Sequence, residues 1–416
     1  MRKITKHAAA LLFIAALLIY GSVYVSAISQ KKDWLFELKD LEGNREAMSG
    51  VTFHGKISDG YLQTSFAMQP DGAVSSKTEI FPVPQQPSPY RYISGGSKLI
   101  DGFYYEIHGS GSYEVIERSL KNSYRKIGNG YIFPEIRNIK PEPNQVTYSN
   151  SLEYGLAKVE DKLYFIVPTT DQYTGTNAIY ELRDGEEPRP IVTIDLEQNK
   201  DNHAPSLQVL GLESVGDKLV LIIAEGDRLL AKGYDSRTGK PIGEASVGRF
   251  HMNGWHTDGT PEEADVNGHS EPYTVFHDLK ENKLILNFRA STNDPHAMNR
   301  TMVTFDVSEQ ITLVDEVRHV FKDGNGSYYF DPTTIAYKNG KLYVAMIFSE
   351  QGELTYDITL PKHLYVYVFQ SSSLLYKGEL ATNVNDDLIR TIHMPDKENN
   401  NYSMQENRYY DQLAFE

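Results

Sequence analysis

Six times along the chain a short Asp, Asn or Gly turn is followed at once by strand-forming residues. No other feature restricts the fold as tightly. The copies are Asp59-Gly60-Tyr61, Asp101-Gly102-Phe103, Asp161-Lys162-Leu163, Asp217-Lys218-Leu219, Asn282-Lys283-Leu284 and Gly340-Lys341-Leu342. Their spacing of about 40 to 65 residues is that of a repeat-built domain with loops of unequal length. The strands that follow, such as Leu163–Val167, Leu219–Ala224, Leu284–Phe288 and Leu342–Phe348, are nearly continuous apolar runs. A strand with one wet face alternates apolar and polar residues, so these runs predict strands buried on both faces.

A second strand-like segment usually comes next, at Ala178–Leu182, Leu229–Tyr234, Met302–Val307 and Leu364–Phe369. Third segments follow at Pro190–Leu196 and Ile311–Val317, and Thr333–Tyr337 precedes the last anchor. About four strands per unit with almost no helical periodicity predict an all-β fold. A β-propeller satisfies both observations, because each sheet packs face to face with two neighbours and few edges are left open. We expect six blades before seven over residues 50–394. Two β-sandwiches in series are the rival, and their strands should alternate.

Within the fourth unit, Tyr234-Asp235-Ser236-Arg237-Thr238-Gly239-Lys240 resembles the D-x-x-T-G-K turn of quinoprotein-like and WD-like propeller repeats. The resemblance implies a propeller across roughly residues 50–380. Four residues after Gly239, where that family carries a docking Trp, this chain has Gly243. The likeness is therefore one of architecture and brings no quinone cofactor with it.

The N-terminus reads differently. Arg2, Lys3 and Lys6 precede an apolar run from Ala8 to Val25, about 27 Å long as a helix. Basic residues stay on the cytoplasmic side, so the remainder of the chain is expected outside. Two export readings stand, beside the plain alternative of a buried N-terminal helix in a cytosolic protein: residues 8–25 are an uncleaved single-pass anchor in the cell membrane, or Val25-Ser26-Ala27 directs cleavage after Ala27 and the protein is secreted. Residues 1–27 are thus a signal or anchor, 28–49 a juxtamembrane segment, and 395–416 a polar tail whose last residues could dock as a strand.

Composition narrows the function classes. With 41 basic and 56 acidic residues, the formal net charge is −15, which speaks against nucleic-acid binding. The chain has no cysteine, which excludes disulfides, thiolate metal sites and cysteine nucleophiles. Neither a nucleophile elbow nor a phosphate-binding loop nor a dinucleotide fingerprint is present.

The densest polar constellation runs from His251 to His269, in the longest interval between anchors. His251, His256 and His269 are the candidate ligands of a divalent metal, since imidazoles beside carboxylates suit such an ion. Trp255 and Asp258 are candidate ligand-binding residues, because exposed Trp often anchors an interface. A solvated loop with scattered histidines is the plain alternative. The expected function is a membrane-tethered binding, sensing or scaffold module for an extracytoplasmic protein partner. The alternative is an extracytoplasmic hydrolase or lyase with a metal or paired carboxylates at the propeller mouth.

Overall fold

The computed structural model describes residues 14–21, 35–59, 62–81, 97–109, 113–119, 124–130, 135–136, 155–166, 173–183, 186–196, 207–252, 268–294, 296–322, 328–349, 362–382 and 409–416. Among them are six sheets of four or five strands and one two-stranded pair, Glu135–Ile136 with Tyr173–Thr174. The first sheet holds Phe53–Asp59, Leu62–Met68 and Val74–Ile80; the second, Ser97–Ile100, Phe103–Gly109, Tyr113–Ser119 and Tyr124–Gly130. The third holds Leu156–Val159, Lys162–Phe165, Thr176–Glu181 and Arg189–Asp195; the fourth, Leu207–Val215, Lys218–Glu225, Arg228–Asp235 and Pro241–Gly248. The fifth is Gly268–Asp278, Lys283–Ala290, Met298–Asp306 and Thr312–Phe321; the sixth, Tyr328–Lys338, Lys341–Ser349, Lys362–Gln370 and Ser373–Thr382. Neighbours within these sheets run antiparallel, apart from a short strand, His251–Met252, that joins the fifth sheet in parallel beside Gly268–His269. The protein is all-β, and its small sheets fit a propeller-type architecture.

Two strands from outside the repeats bind the seam between sixth and first sheets. Phe36–Gly43 adds a fifth, outermost strand to the sixth sheet, pairing Phe36 with Thr382 and Gly43 with Tyr376. Tyr409–Phe415 supplies the first strand of the first sheet, pairing Phe53 with Phe415 and Ile57 with Tyr410.

Five of the six anchors fall in the turn between the first and second strands of a sheet. The sixth is the exception: Asp59 ends the second strand of the first sheet, because the first place is taken by Tyr409–Phe415. Asp101-Gly102 and Asn339-Gly340 have positive φ at both positions, the conformation a two-residue hairpin turn requires. This is why Asp101, Asn282 and Gly340 stand at their anchors, whereas in the third and fourth sheets the positive φ falls one residue earlier, at Glu160 and Gly216.

The continuous apolar runs are second strands, and their two faces enter two different cores. In Lys218–Glu225, Leu219, Leu221 and Ile223 pack toward the third sheet, while Val220, Ile222 and Ala224 pack toward the fifth. In Lys341–Ser349, Leu342, Val344, Met346 and Phe348 meet the fifth sheet, and Tyr343, Ala345 and Ile347 meet the first. At about 1.5–3 kcal/mol for each large apolar side chain taken from water, burial on both faces is what holds sheet to sheet.

The sheets follow one another in chain order. Apolar clusters join second to third, third to fourth, fourth to fifth, fifth to sixth, and sixth to first. First strands also touch in series: Leu156–Val159 lies against Leu207–Val215, that strand against Gly268–Asp278, then Tyr328–Lys338, then Tyr409–Phe415.

The Asp235–Lys240 turn explains its own sequence. The Asp235 carboxylate accepts from the Thr238 backbone N–H at 2.8 Å and from its hydroxyl at 2.6 Å. Gly239 has φ +69°, and a Cβ there would stand 2.0 Å from the Ile191 carbonyl oxygen of the third sheet. The turn thus packs on the outer strand of the preceding sheet, and only Gly permits the approach. Gly239→Ala is expected to cost more than about 1 kcal/mol, read as a lowered urea midpoint at unchanged slope. Gly243, at the position of the family's docking Trp, lies against Gln310 and Ile311 beside the fifth sheet. A Cβ on Gly243 would stand 3.1 Å from the Ile311 backbone nitrogen, which leaves no room for an indole.

Residues 14–21 are helical, and Ile14, Leu17, Leu18 and Ile19 are exposed on that helix. No helix among the described residues is long and apolar enough to cross a membrane.

Candidate functional site

Antiparallel strands taken in chain order put the first turns of the second to sixth sheets at one end. The connections from sheet to sheet, such as 81–97, 131–154, 197–206 and 249–267, start and finish at the other. Two polar assemblies stand out, one toward each end.

At the long-connection end, a cleft of about 410 Å³ opens on the fifth sheet where the chain enters it from the fourth, lined by Arg249, His251, His269, Thr301, Glu316 and Arg318. The chain leaves the fourth sheet through Gly248, and Arg249 takes a left-handed backbone, φ +59°. His251–Met252 then pairs in parallel with Gly268–His269, which brings two of the three candidate histidines side by side. His269 is buried, and its ring stacks on Phe250 with centroids 3.8 Å apart and planes 7° from parallel. Its Nδ1 lies 3.0 Å from the His251 carbonyl oxygen, which can only accept, so Nδ1 carries the proton. In the neutral ring Nε2 then accepts from the Thr301 hydroxyl at 2.8 Å. Both ring nitrogens are engaged, so a metal would have to displace one of these bonds. Arg318 donates to the Ser291 carbonyl at 2.8 Å across the top of the fifth sheet. Partial burial, with the Asp315 charge beside it, raises the pKa of Glu316.

Trp255, His256 and Asp258 lie outside the described residues. Among the described residues no group of three or more His, Cys, Asp or Glu is placed to hold a metal ion.

The second assembly is one that sequence reasoning does not single out. Glu213, 1% exposed, sits on the first strand of the fourth sheet. Its Oε2 is 2.8 Å from Lys98 Nζ of the second sheet and 3.7 Å from His277 Nε2 of the fifth. Tyr273, on the same strand as His277, donates its hydroxyl to Oε1 at 2.9 Å. Lys98 also donates to the Leu212 carbonyl at 3.2 Å. Beside it, Lys158 pairs with Asp101 at 2.8 Å, and its carbonyl accepts from the Ser214 hydroxyl. Lys98 reaches past the third sheet to the fourth, which first strands can do only where they converge. The one signal in the sequence is a carboxylate inside a largely apolar strand, Leu207–Val215.

Burial lowers the pKa of His277, with Lys98 adding to the effect and Glu213 opposing it. Burial lowers His319 too, against the opposing pull of the Ser371 carbonyl, which its Nε2 faces at 2.9 Å; its buried Nδ1 has no partner among the described residues. A histidine whose folded pKa lies below its unfolded value near 6.5 contributes stability above that value and loses it as pH falls. Thermal melts are therefore expected to drop between pH 7.5 and 5, and His319→Gln should flatten the profile.

No protein-family model matches this sequence, and no curated protein does. Among solved structures, an α-L-arabinofuranosidase from Fusarium graminearum bound to an iminosugar inhibitor is similar at 14% identity, over 60% of this chain and 71% of that one, with a TM-score of 0.30. A prolyl endopeptidase is similar at 10% identity over 86% of this chain and 46% of its own, also at 0.30. An α-L-arabinofuranosidase from Clostridium thermocellum shares 9% identity over 78% and 95%, at 0.28. Scores this low carry no argument about this chain.

Proposed function

We propose that this chain is a six-bladed β-propeller held outside the cell by residues 8–25, or released after Ala27, that binds an extracytoplasmic partner at its long-connection end. The observation that supports a binding role is the state of the convergent carboxylate. Glu213 has both oxygens occupied by Lys98 and Tyr273, so it serves as a strut between sheets rather than as an acid or base facing solvent. The short-turn end is thereby braced, and the opposite end carries the cleft and the connections between sheets. Loops on a rigid frame are where recognition residues usually reside.

Proximity labelling of the full-length chain in its native membrane tests this. One discrete neighbour should be labelled, labelling should fail when Arg249 and Arg318 are both changed to Gln, and it should survive Thr238→Ala at the opposite end. Equal labelling by all three proteins would sink the reading.

A second reading, an extracytoplasmic hydrolase, is favoured by Glu316 and His251 lining one cleft of about 410 Å³, a carboxylate and an imidazole beside a space fit for a small substrate. In that reading His251, His256 and His269 would hold a divalent metal, with His269 releasing one of its present bonds. Chromogenic aryl glycosides are the first assay substrates. Turnover that is lost in Glu316→Gln would replace the binding reading.

A further inference from the structure

We propose that the cleft on the fifth sheet, where the chain enters it from the fourth, binds a small hydroxylated carboxylate, a sugar acid such as a uronate. Arg249 and Arg318 face the carboxylate, and Thr301 and Glu316 take the hydroxyls. The assignment rests on the reading above only in placing the ligand at the long-connection end. Four observations lead to it.

First, the volume of about 410 Å³ falls within the range of small-molecule sites. Second, the lining inverts the charge of the molecule: two guanidiniums stand beside one carboxylate, in a chain of net charge −15. A local positive field inside an acidic protein selects an anion and concentrates it there.

Third, Arg249 occupies a left-handed backbone position, φ +59°, where Gly or Asn would be less strained. Neither its guanidinium nor the His251 ring has a hydrogen-bond or ion-pair partner among the described residues. A strained arginine whose head group no described residue engages is retained at a cost, and a bidentate carboxylate is the partner that guanidinium geometry fits best. Fourth, Thr301 donates to His269 Nε2, so its oxygen is left to accept, as is the Glu316 carboxylate. Acceptors beside the cationic pair favour hydroxyl donors on the ligand. Glu316 would also repel a dianion, which favours a carboxylate over a phosphate.

The test uses the full chain in detergent, titrated calorimetrically with glucuronate, galacturonate, glucose and inorganic phosphate. A uronate is expected to bind, and glucose and phosphate are not. Arg318→Gln should weaken uronate binding at least tenfold. Arg249→Gly should weaken it as much while raising the thermal midpoint, because it removes the side chain and relieves the backbone together. That rise separates loss of a contact from loss of the fold. Absence of uronate binding, unchanged affinity in Arg249→Gly, or tighter binding of phosphate would each overturn the assignment. Intact partner labelling alongside absent uronate binding would remove this inference and leave the binding role standing.

Discussion

Glu213→Ala is expected to lower the unfolding free energy by about 3–5 kcal/mol, the scale at which breaking a buried ion pair leaves its partner charge stranded. Lys98 would lose its carboxylate and Tyr273 its acceptor, on strands of two other sheets. Urea titrations should show a fall in midpoint, and a Glu213/Lys98 cycle should show coupling above about 1 kcal/mol. The triple variant Glu213→Leu, Lys98→Met, Tyr273→Phe removes the carboxylate and both of its hydrogen-bond donors together and is expected to recover most of the loss. The residues are 115 apart in sequence along one bond. A single-variant cost below about 0.5 kcal/mol would mean that the second, fourth and fifth sheets do not share this junction.

Removing residues 409–416 is the second large effect. It takes away the first strand of the first sheet, so Phe53–Asp59 becomes an open edge. Phe415 packs against Phe53 with ring centroids 4.8 Å apart and against Tyr343 at 5.7 Å; Tyr410 is buried beside them. Two buried aromatics contribute about 1.5–3 kcal/mol each, so the loss should exceed about 3 kcal/mol. An unpaired strand edge also templates association with another copy. Thermal melts should show a lowered midpoint, and light scattering should show aggregation below it. Phe415→Ala, which keeps the backbone pairing, should cost about 3 kcal/mol without the aggregation. If the truncated chain melts like the full one, the strand is dispensable and the seam is held by Phe36–Gly43 alone.

The strand framework is readable from the sequence because its physics is local. A turn that needs positive φ selects Asp, Asn or Gly, and a strand packed on both sides selects an unbroken apolar run. Both signatures are present at Gly216–Ala224. The polar junction is not readable, for the opposite reason. Nothing in LQVLGLESV states which residue 115 positions earlier will face its one carboxylate; that is decided by convergence of sheets, a property of the whole array. The place of Asp59 is hidden for a related reason, since the strand that displaces it by one position comes from the far end of the chain. The His251–His269 segment is visible as a polar cluster, and the structure brings two of its histidines together. What the spacing does not show is that the His269 ring is spent on Thr301 and on a carbonyl.

The seam between the sixth and first sheets also sets an order of events. Every sheet from the second to the fifth is made of consecutive segments and can assemble as each is synthesised. The first sheet cannot: its first strand is separated from its neighbour by more than 300 residues of chain. Phe53–Asp59 must therefore wait, with its edge open, until Tyr409–Phe415 has emerged. Closing the seam is a late, all-or-none step, and the interval before it is when this protein is most exposed to proteases and most in need of a chaperone.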